Sequence, residues 1–394
     1  MSEQKIILYG AFDRYNYGDI LIPIILGKYL EENGITNIEY CSIRNADLTS
    51  MGGFKCKRLN LGEIPTNSSI IVSGGEVVNV DWTSITSYFM GWFGNRFIRV
   101  SRLIFPRSWV NSICMKIMDG QFKFPFLIEK ESICKSTHIL YYGVGGVSIK
   151  SSDQLIKTTL VEADLISVRD KNANHILKST WGIDNQLTPD IANAVSKFYP
   201  KDELLESTSK NTKAFILKNE GAYFCFQMAQ QYTHGELSTI IDSLSKLILE
   251  GVPIALLPLG IVSGHEDDKI LEQIYERLSS EKVFILRDIH LIDSVSLIAH
   301  SKVFTGTSLH GNITAMSYAV PHFPLNKNVP KLISYIKQWD ISAVEACPDY
   351  SQIHEFYEKS TEMDVETLKV NRDTLISHIE QNVGKVCQII SSES

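Results

Sequence analysis

The sequence predicts an α/β protein built from two doubly wound, parallel-sheet (Rossmann-like) domains that face a cleft. Short apolar runs typical of buried strands alternate with longer helix-like runs, which is the pattern of parallel strands joined by right-handed helical crossovers. A polar, charged linker at residues 201–212 divides the chain into two halves. The length of 394 residues also suits two domains.

The N-terminal domain is expected to span residues 1–200. Its predicted strands cover residues 5–9, 38–42, 69–73, 138–142 and 163–167, and its clearest helices cover about residues 19–33 and 170–179. The C-terminal domain is expected at residues 213–345, with strands at residues 223–227, 253–257, 283–286 and 302–305 and helices at residues 235–250, 267–278 and 291–299. A helical tail, residues 346–394, follows. Ligands of such sheets bind at the carboxyl ends of the strands.

Charge and composition exclude several classes of protein. The formal net charge is −7 and no dense block of Lys and Arg occurs, so no nucleic-acid partner is expected. No apolar run approaches the ~20 residues of a membrane span, and no signal peptide precedes the first strand. The seven cysteines are scattered without a CxxC pair, which favours reduced thiols and a cytoplasmic location.

One glycine-punctuated turn between a strand and a helix contains a histidine. It comprises Gly306, Thr307, Ser308, Leu309, His310, Gly311 and Asn312. Free backbone N–H groups and the helix dipole make such a turn attractive to an anion. A histidine beside a bound phosphate or carboxylate is a candidate general acid, so His310 is predicted to be catalytic. The alternative is a buried, hydrogen-bonded histidine.

Two earlier turns supply polar groups. The turn after the first strand carries Asn16 and Asp19, which we expect to face the cleft and bind a substrate hydroxyl; the alternative is that Asp19 only caps the next helix. The strand at residues 69–73 ends in Gly74, Gly75 and Glu76, where glycines let the backbone approach a ligand. Glu76 is a candidate general base or hydroxyl-binding carboxylate, or else an exposed acid in a tight turn.

Two further charged residues follow later segments of the first half. Arg169 ends a strand, and its forked guanidinium suits a carboxylate or phosphate; the alternative is a local contact with Asp170 or a helix cap. Asp190 lies in the last segment of the first half, near the presumed cleft. It is expected to contact the acceptor, unless it is only a turn residue.

The segment at residues 88–128 is basic and rich in aromatic residues. Six basic residues stand against one acid, which gives a local charge of +5. Such a stretch in an acidic protein predicts peripheral contact with an anionic membrane surface. The alternative is a packed insertion that lines the acceptor cleft, with the long arginines reaching out to water.

These motifs, in this order, resemble those of the polysaccharide pyruvyl transferase family. The matching elements are Asn16-Tyr17-Gly18-Asp19, Gly74-Gly75, Ser167-Val168-Arg169-Asp170, Pro189-Asp190, Leu257-Pro258-Leu259-Gly260 and Ser308-Leu309-His310-Gly311, followed by Ala315 and Pro321. The resemblance implies a two-domain fold similar to B-type glycosyltransferases, with the acceptor on the N-terminal domain and the donor on the C-terminal domain. It also implies transfer of pyruvate from phosphoenolpyruvate to a sugar, usually as a cyclic ketal.

The resemblance assigns roles to the candidate residues. His310 would protonate the donor, Arg169 and the turn at residues 306–312 would hold its anionic groups, and Asp19 or Glu76 would bind or deprotonate the acceptor. No metal and no cofactor beyond the donor substrate is required. The chain departs from the family in two places: Ser308 stands where many members carry an arginine thought to hold the donor, and Glu76 where a third glycine is common. The first departure shifts the cationic role to Arg169 and the backbone N–H groups.

Two other functions stay open. A nucleotide-sugar-dependent glycosyltransferase of the same fold would need an acid for the ribose, for which Glu266 and Asp267 are the candidates. A non-catalytic glycan-binding or scaffold protein is the third hypothesis. For the transferase, the expected partners are a small-molecule donor and a glycan or lipid-linked glycan acceptor, met at the inner face of the cytoplasmic membrane.

Overall fold

The computed structural model describes residues 4–219, 221–233, 235–261 and 265–392. Within one helix, the side chains of Trp92, Phe93, Asn95, Phe97 and Arg99 lie outside the description. The predicted contributions of four of these residues, Trp92, Phe93, Phe97 and Arg99, to the basic aromatic segment therefore lie outside the described part of the molecule.

The N-terminal domain is built on an eight-stranded sheet. Its strands are β1 (Lys5–Tyr9), β2 (Ile38–Ser42), β3 (Ala46–Asp47), β4 (Lys55–Arg58), β5 (Ser68–Ser73), β6 (His138–Val144), β7 (Leu165–Val168) and β8 (Gln186–Leu187). The order is β3-β4-β2-β1-β5-β6-β7-β8, and only the β3–β4 pair is antiparallel. Every residue of the central strand β5 is buried, as expected for a parallel strand covered on both faces.

Helices flank this sheet and form one large insertion. They are α1 (Tyr17–Glu32), α2 (Trp82–Phe89), α3 (Gly91–Ile104), α4 (Arg107–Ile117), α5 (Gln154–Leu160), α6 (Lys171–His175), which continues as a π-helical turn, and α7 (Val195–Phe198). The predicted insertion is thus the α2–α4 region between β5 and β6. Helix α1 begins two residues before the predicted start, because Asn16 is the extended residue that precedes it. Asp19 lies inside the first turn of α1 and is not its cap.

The C-terminal domain is built on a five-stranded, wholly parallel sheet in the order β11-β10-β9-β12-β13. Its strands are β9 (Phe224–Gln227), β10 (Ile254–Leu256), β11 (Val283–Ile285), β12 (Val303–Gly306) and β13 (His322–Pro324). Its helices are α8 (Lys201–Ser207), α9 (Lys210–Asn219), α10 (Leu237–Leu249), α11 (Asp267–Leu278), α12 (Leu291–Ala299), α13 (Leu309–Ser317) and α14 (Pro330–Trp339). The fold class predicted from the sequence is confirmed.

The polar segment at residues 201–212 connects the two sheets as helix, in α8 and the start of α9. Leu204 and Thr212 are buried, and the Ser209 backbone N–H donates to Asp293 of α12 at 2.7 Å. These few inward-facing residues are enough to pack the segment against α12, although its charged surface residues dominate the composition. The linker is therefore a packed connection.

The helical tail joins the two domains. Helix α15 (Ile353–Thr361) packs on the second sheet, and α16 (Val365–Ser391) returns to the first domain. Residues Leu375, Ile379 and Val383 of α16 are buried in a hydrophobic core that also contains strand and helix residues of both domains. Glu380 pairs with Lys197 of α7 at 2.9 Å. In the described residues, no helix is long and apolar enough to cross a membrane.

A buried ion pair positions α14. His322 of β13 lies 2.8 Å from Asp340, which ends α14, and both side chains are fully buried. The other ring nitrogen of His322 lies 2.8 Å from the Val320 carbonyl oxygen. Both partners are acceptors, so both nitrogens must donate and the ring is held as imidazolium. Burial alone would lower the pKa of His322, but the Asp340 carboxylate outweighs burial and raises it.

Replacing Asp340 by asparagine should destabilise the fold by about 3 kcal/mol, because it leaves a buried imidazolium without its counter-charge. A raised histidine pKa stabilises the folded state fully below the unfolded pKa of about 6.5, and this stabilisation is lost as pH rises through the folded value. The difference between wild type and Asp340→Asn should therefore be largest in mildly acidic buffer and shrink towards alkaline pH. Urea unfolding at several pH values measures it, and a difference that grows with pH would contradict the assignment.

Candidate functional site

A cavity of about 300 Å³ lies between the carboxyl ends of the two sheets. On the N-terminal side its walls are the turns after β1, β5 and β7, and on the C-terminal side the turns after β9, β10 and β12. Residues from both domains line it, among them Asn16, Asp19, Glu76, Arg169, Ser308 and His310. Six strand ends thus converge on one space, as open parallel sheets favour.

The turn after β1 joins the two domains at the cavity floor. The Tyr17 backbone N–H donates to the Leu259 carbonyl oxygen at 3.0 Å, and Asn16 forms an isolated antiparallel bridge with Gly260. The hydroxyl groups of Tyr17 and Thr314 lie 2.7 Å apart in the interior. This explains why the Asn16-Tyr17-Gly18-Asp19 and Leu257-Pro258-Leu259-Gly260 motifs occur together: they form the seam between the domains.

Gly18 leaves room for the ring of His310. A Cβ atom on Gly18 would lie 1.8 Å from His310 Nδ1, far inside contact distance. Any side chain at position 18 would displace the imidazole. The glycine of one motif is thus required by the histidine of another, across the domain interface.

Arg169, Asp190 and His310 form a largely buried cluster, in which Arg169 and His310 line the cavity and Asp190 lies behind them. An Arg169 Nη1–Asp190 Oδ2 ion pair joins the first two residues, which are both buried. His310 Nε2 lies 3.4 Å from Asp190 Oδ2 and 3.3 Å from Arg169 Nη1. Burial alone would raise the pKa of Asp190, but the Arg169 charge and the His310 hydrogen bond outweigh it and hold that pKa below its usual range.

The position of His310 couples its proton to this pair. Arginine only donates hydrogen bonds, so the Arg169 contact requires Nε2 of His310 to be an acceptor. The carboxylate of Asp190 only accepts, so its contact requires Nε2 to carry a proton. The two contacts therefore place opposite demands on the hydrogen at Nε2, and the tautomer of the ring decides which of them is a hydrogen bond.

Helix α14 packs against this cluster and forms hydrogen bonds with two of its residues. The Tyr335 hydroxyl accepts from the Asp190 backbone N–H at 2.9 Å, and Trp339 Nε1 donates to the Arg169 carbonyl oxygen at 2.9 Å. Asp190 itself does not line the cavity. The sequence predicts an acceptor contact for Asp190, whereas its buried position behind Arg169 and His310 is that of an anchor.

Glu76 faces the cavity beside Arg169. Its Oε1 atom is buried without a hydrogen-bond partner and lies 3.7 Å from Arg169 Nη2. A Cβ atom on Gly145 would lie 2.4 Å from that same oxygen, so the glycine after β6 makes room for the carboxylate. Burial raises the pKa of Glu76 against the opposing charge of Arg169. A raised pKa and an oxygen without a hydrogen-bond partner are properties that a general base needs, and that role of Glu76 stays a prediction.

The histidine turn is held from behind. Ser308 caps α13 by accepting from the Gly311 N–H at 3.2 Å, and its own N–H donates to Gln227 Oε1 at 2.8 Å. Thr307, Ser308, Leu309 and His310 line the cavity, whereas Gly306, Gly311 and Asn312 do not. A Cβ atom would meet Gln227 at Gly306 and Phe304 at Gly311, and the Asn312 amide donates to the Gly306 and Ser308 carbonyl oxygens. For these three residues the positions favour support of the turn over direct donor contact.

Asn16 and Asp19 both line the cavity. Asn16 makes no side-chain cap bond, so its amide is not engaged with α1, and Asp19 Oδ1 lies near Gly75. Of the predicted insertion, Tyr88 and Phe126 reach the cavity wall.

Three ionisable residues that line the cavity, Lys331, Arg14 and His265, are not among the sequence predictions of the site. Asp267, the ribose candidate of the glycosyltransferase alternative, also lines the space and has a buried carboxylate. Lys331 is the second residue of α14, after a proline, and no strand precedes it directly. Arg14 follows β1, and His265 and Asp267 follow β10, so these three residues lie where the strand-end rule would have examined them.

The surroundings of Lys331 disfavour its charged form. Burial lowers its pKa, and the charge of Arg169 lowers it further, while Glu76 and Asp19 act in the opposite direction. Two cations that repel each other in a partly desolvated cavity create a site that a multiply charged anion would stabilise. Ser308 leaves the histidine turn without the family's usual arginine, and Lys331 supplies a positive charge in the same cavity.

Asp267 supports the turn indirectly. Its Oδ2 atom accepts from Gln227 Nε2 at 2.7 Å and from the backbone N–H groups of Leu259 and Gly260, each at 3.0 Å. Gln227 in turn holds the Ser308 N–H. Burial raises the pKa of Asp267 to about 7 despite these donors. Glu266 instead pairs with Lys269 at the surface, outside the cavity.

Solved structures of similar fold come from sugar-nucleotide and cell-wall enzymes. The UDP-GlcNAc 2-epimerase of Methanocaldococcus jannaschii has a TM-score of 0.53 at 10% identity, with 92% of this chain and 94% of that chain covered. MnaA of S. aureus, solved with UDP, has a TM-score of 0.52 at 13% identity, covering 97% of each chain. The wall teichoic acid polymerase TagF has a TM-score of 0.52 at 9% identity, covering 100% and 89%. These likenesses show the fold, which is of the B-type glycosyltransferase kind.

Sequence comparison identifies the family. No curated protein sequence matches the chain. The profile of the polysaccharide pyruvyl transferase family matches residues 16–327, which include every cavity residue named above except Arg14 and Lys331. The chain therefore belongs to the polysaccharide pyruvyl transferase family and is a transferase.

Proposed function

We propose that this protein moves the pyruvyl group of phosphoenolpyruvate onto a sugar of a cell-surface polysaccharide or its lipid-linked precursor, forming a ketal. Family membership supports a transferase that modifies polysaccharide. The observation that carries the finer proposal is the convergence of Arg169, Lys331 and His310 on one cavity. Phosphoenolpyruvate carries a carboxylate and a phosphate, which match two cations, and a methylene carbon that needs a proton.

The donor would bind on the cationic side of the cavity. Arg169 offers a planar fork whose orientation is fixed by Asp190, and Lys331 offers a point charge from the start of α14. Binding a multiply charged anion between them would relieve their mutual repulsion and favour the charged form of Lys331. The first residues of α13, Leu309 and His310, add N–H groups at a helix N-terminus.

The chemistry divides between the two walls. His310 delivers a proton to the methylene carbon, which becomes the methyl group, and C2 becomes electrophilic. A first sugar hydroxyl adds to C2 and loses its proton to Glu76 or Asp19. A second hydroxyl then replaces the phosphate, breaking the C2–O bond. Over the whole reaction the two sugar hydroxyls lose two protons, of which one is gained by the methyl group and the other by the released phosphate.

The polar groups of the cavity favour phosphoenolpyruvate over a nucleotide sugar as the proposed donor. The glycosyltransferase alternative needs an acid free to bind ribose in the C-terminal half. Glu266 is paired with Lys269 outside the cavity, and Asp267 accepts three hydrogen bonds from Gln227 and two backbone N–H groups through one oxygen. Asp267 leaves only its buried Oδ1 atom without a hydrogen-bond partner, and Glu266 lies outside the cavity, so neither residue offers two open carboxylate oxygens to a sugar diol.

The proposal is tested by incubating the protein with phosphoenolpyruvate and a panel of sugar and lipid-linked acceptors. Acceptor-dependent phosphate release, with a product whose mass rises by one pyruvylidene group, is the expected result. Transfer that requires a nucleotide sugar would support the glycosyltransferase alternative. A folded protein that binds glycans but turns over neither donor would support the scaffold alternative.

Replacing His310 by glutamine should reduce kcat about 100-fold or more, since general acid catalysis is typically worth that much. Gly18→Ala should produce a similar loss without touching the ionisable group, because it displaces the ring. His378→Gln, at an exposed position of α16, is the matched control and should retain full activity. Steady-state phosphate release measures all three. A His310→Gln variant with near-normal kcat would remove His310 from this role.

Replacing Lys331 by methionine should raise KM for phosphoenolpyruvate about tenfold or more, as expected for a lost charge-assisted contact. Lys337→Met, on the exposed face of the same helix, should leave KM unchanged. The pKa of Lys331 is lowered, so Lys331 loses its charge at a pH below the usual pKa of a lysine side chain. The KM of the wild type for phosphoenolpyruvate should therefore begin to rise at that pH. Lys331→Arg should weaken this pH dependence, since arginine stays charged. An unchanged KM in Lys331→Met would show that the donor does not contact this cation.

A further inference from the structure

We propose that the tip of the α3–α4 hairpin is a membrane-binding wedge that docks the protein on an anionic bilayer. The wedge comprises Val100, Leu103, Ile104, Phe105 and Trp109. This inference draws its biological reason from the proposed function, because a lipid-linked acceptor lies at a membrane surface. Its evidence and its test are independent of turnover.

The wedge concentrates exposed apolar surface. Leu103 and Ile104 are 87% and 68% exposed, and Phe105 and Trp109 are 44% and 50% exposed. Of the thirteen large hydrophobic residues exposed in the described part of the chain, seven lie between Met90 and Ile117. Exposed apolar residues that are scattered singly need no explanation, but a contiguous group marks a contact surface.

The geometry of the hairpin places these residues together. Val100 is three residues before Leu103 and four before Ile104, so the three share one face at the end of α3. Phe105 follows immediately, and its ring lies 4.6 Å from that of Trp109 at the start of α4. Amphipathic aromatic side chains such as Trp109 favour the boundary between headgroups and acyl chains.

The base of the hairpin is anchored, so the tip is presented in a fixed direction. Ile98, Val110 and Cys114 point inward and are buried in the N-terminal core. Asp81, which caps α2, pairs with Arg102 at 3.3 Å and with Arg107 at 3.1 Å. Helix α2 in turn carries Tyr88 at the cavity wall. The wedge and the cavity are thus two ends of one packed unit.

Charge selects an anionic bilayer as the partner. Residues 88–128 carry +5 while the whole chain carries −7, so the remainder carries −12. Two arginines share the single carboxylate of Asp81, which leaves a net positive charge beside the wedge. An anionic surface would attract the hairpin and repel the rest of the molecule, which orients the protein. A symmetric dimer through the wedge would instead bring two positively charged hairpins together.

Sedimentation with vesicles tests the wedge. Wild-type protein should co-sediment with vesicles of phosphatidylcholine and phosphatidylglycerol, and much less with phosphatidylcholine alone. The affinity of the Leu103→Glu/Ile104→Glu variant for the anionic vesicles should fall about tenfold or more, because two large apolar side chains that would insert into the bilayer are lost. Lys116→Glu, at an exposed position of α4, should also weaken vesicle binding relative to wild type. This loss should be larger at low salt than at high salt, because salt screens the attraction between the charges. Leu249→Glu, 85% exposed on the C-terminal domain, is the matched control and should bind like wild type.

Each contrary outcome has a distinct meaning. Wild-type protein that ignores anionic vesicles, or a double variant that binds them like wild type, overturns the wedge. A wild-type dimer in light scattering that the double substitution converts to a monomer, without any vesicle effect, would assign the surface to a second copy of the chain. Phosphate release from phosphoenolpyruvate with a soluble acceptor fragment, measured on the same variants, reports separately on the proposed function.

Discussion

The buried ion pair between Arg169 and Asp190 is the interaction on which the rest of the site depends. Taking two such charges out of water costs several kcal/mol for each ion, so neither is tolerated alone, and loss of one partner would cost about 3–5 kcal/mol. The pair is held on one side by Tyr335 and Trp339 of α14 and on the other by His310 of α13. Tyr335, Trp339 and His310 belong to the C-terminal domain, so this N-terminal ion pair is also part of the contact between the domains.

The cavity combines charge of both signs without neutralising it. Arg169, Lys331 and Arg14 are cationic, and Asp19 and Glu76 are acidic. The Oε1 atom of Glu76 has no hydrogen-bond partner and approaches Arg169 only to 3.7 Å, and burial and the charge of Arg169 destabilise Lys331 as a cation. A protein interior normally satisfies such groups. Their incomplete pairing is the physical sign of a substrate site, and it separates this cavity from the ion pairs on the surface.

The sequence allowed prediction of the parts of the site that follow strand ends. His310, Arg169, Glu76 and Asp19 all follow strands whose apolar periodicity is unambiguous, and the cavity contains all four. Lys331 was missed because it lies on a helix that approaches the cavity from the side, so only tertiary packing brings it there. Chain order places Asp190 near the cleft and so predicts an acceptor contact, but chain order cannot predict that Asp190 is buried behind Arg169 and His310. The composition of the connection at residues 201–212 does not reveal that it is helical and packed, because a few inward-facing residues among many charges carry little weight in composition.

The partners of His310 give the cleft a conformational requirement. His310 belongs to the C-terminal domain, whereas Gly18, Arg169 and Asp190, which orient its ring, belong to the N-terminal domain. If the domains separate, the imidazole loses its orientation and its contacts with Arg169 and Asp190 at the same moment. In the proposed reaction, an open enzyme would then hold the donor without the aligned acid needed to activate it. Assembly of the acid across the seam would thus protect the donor from wasteful hydrolysis before an acceptor arrives.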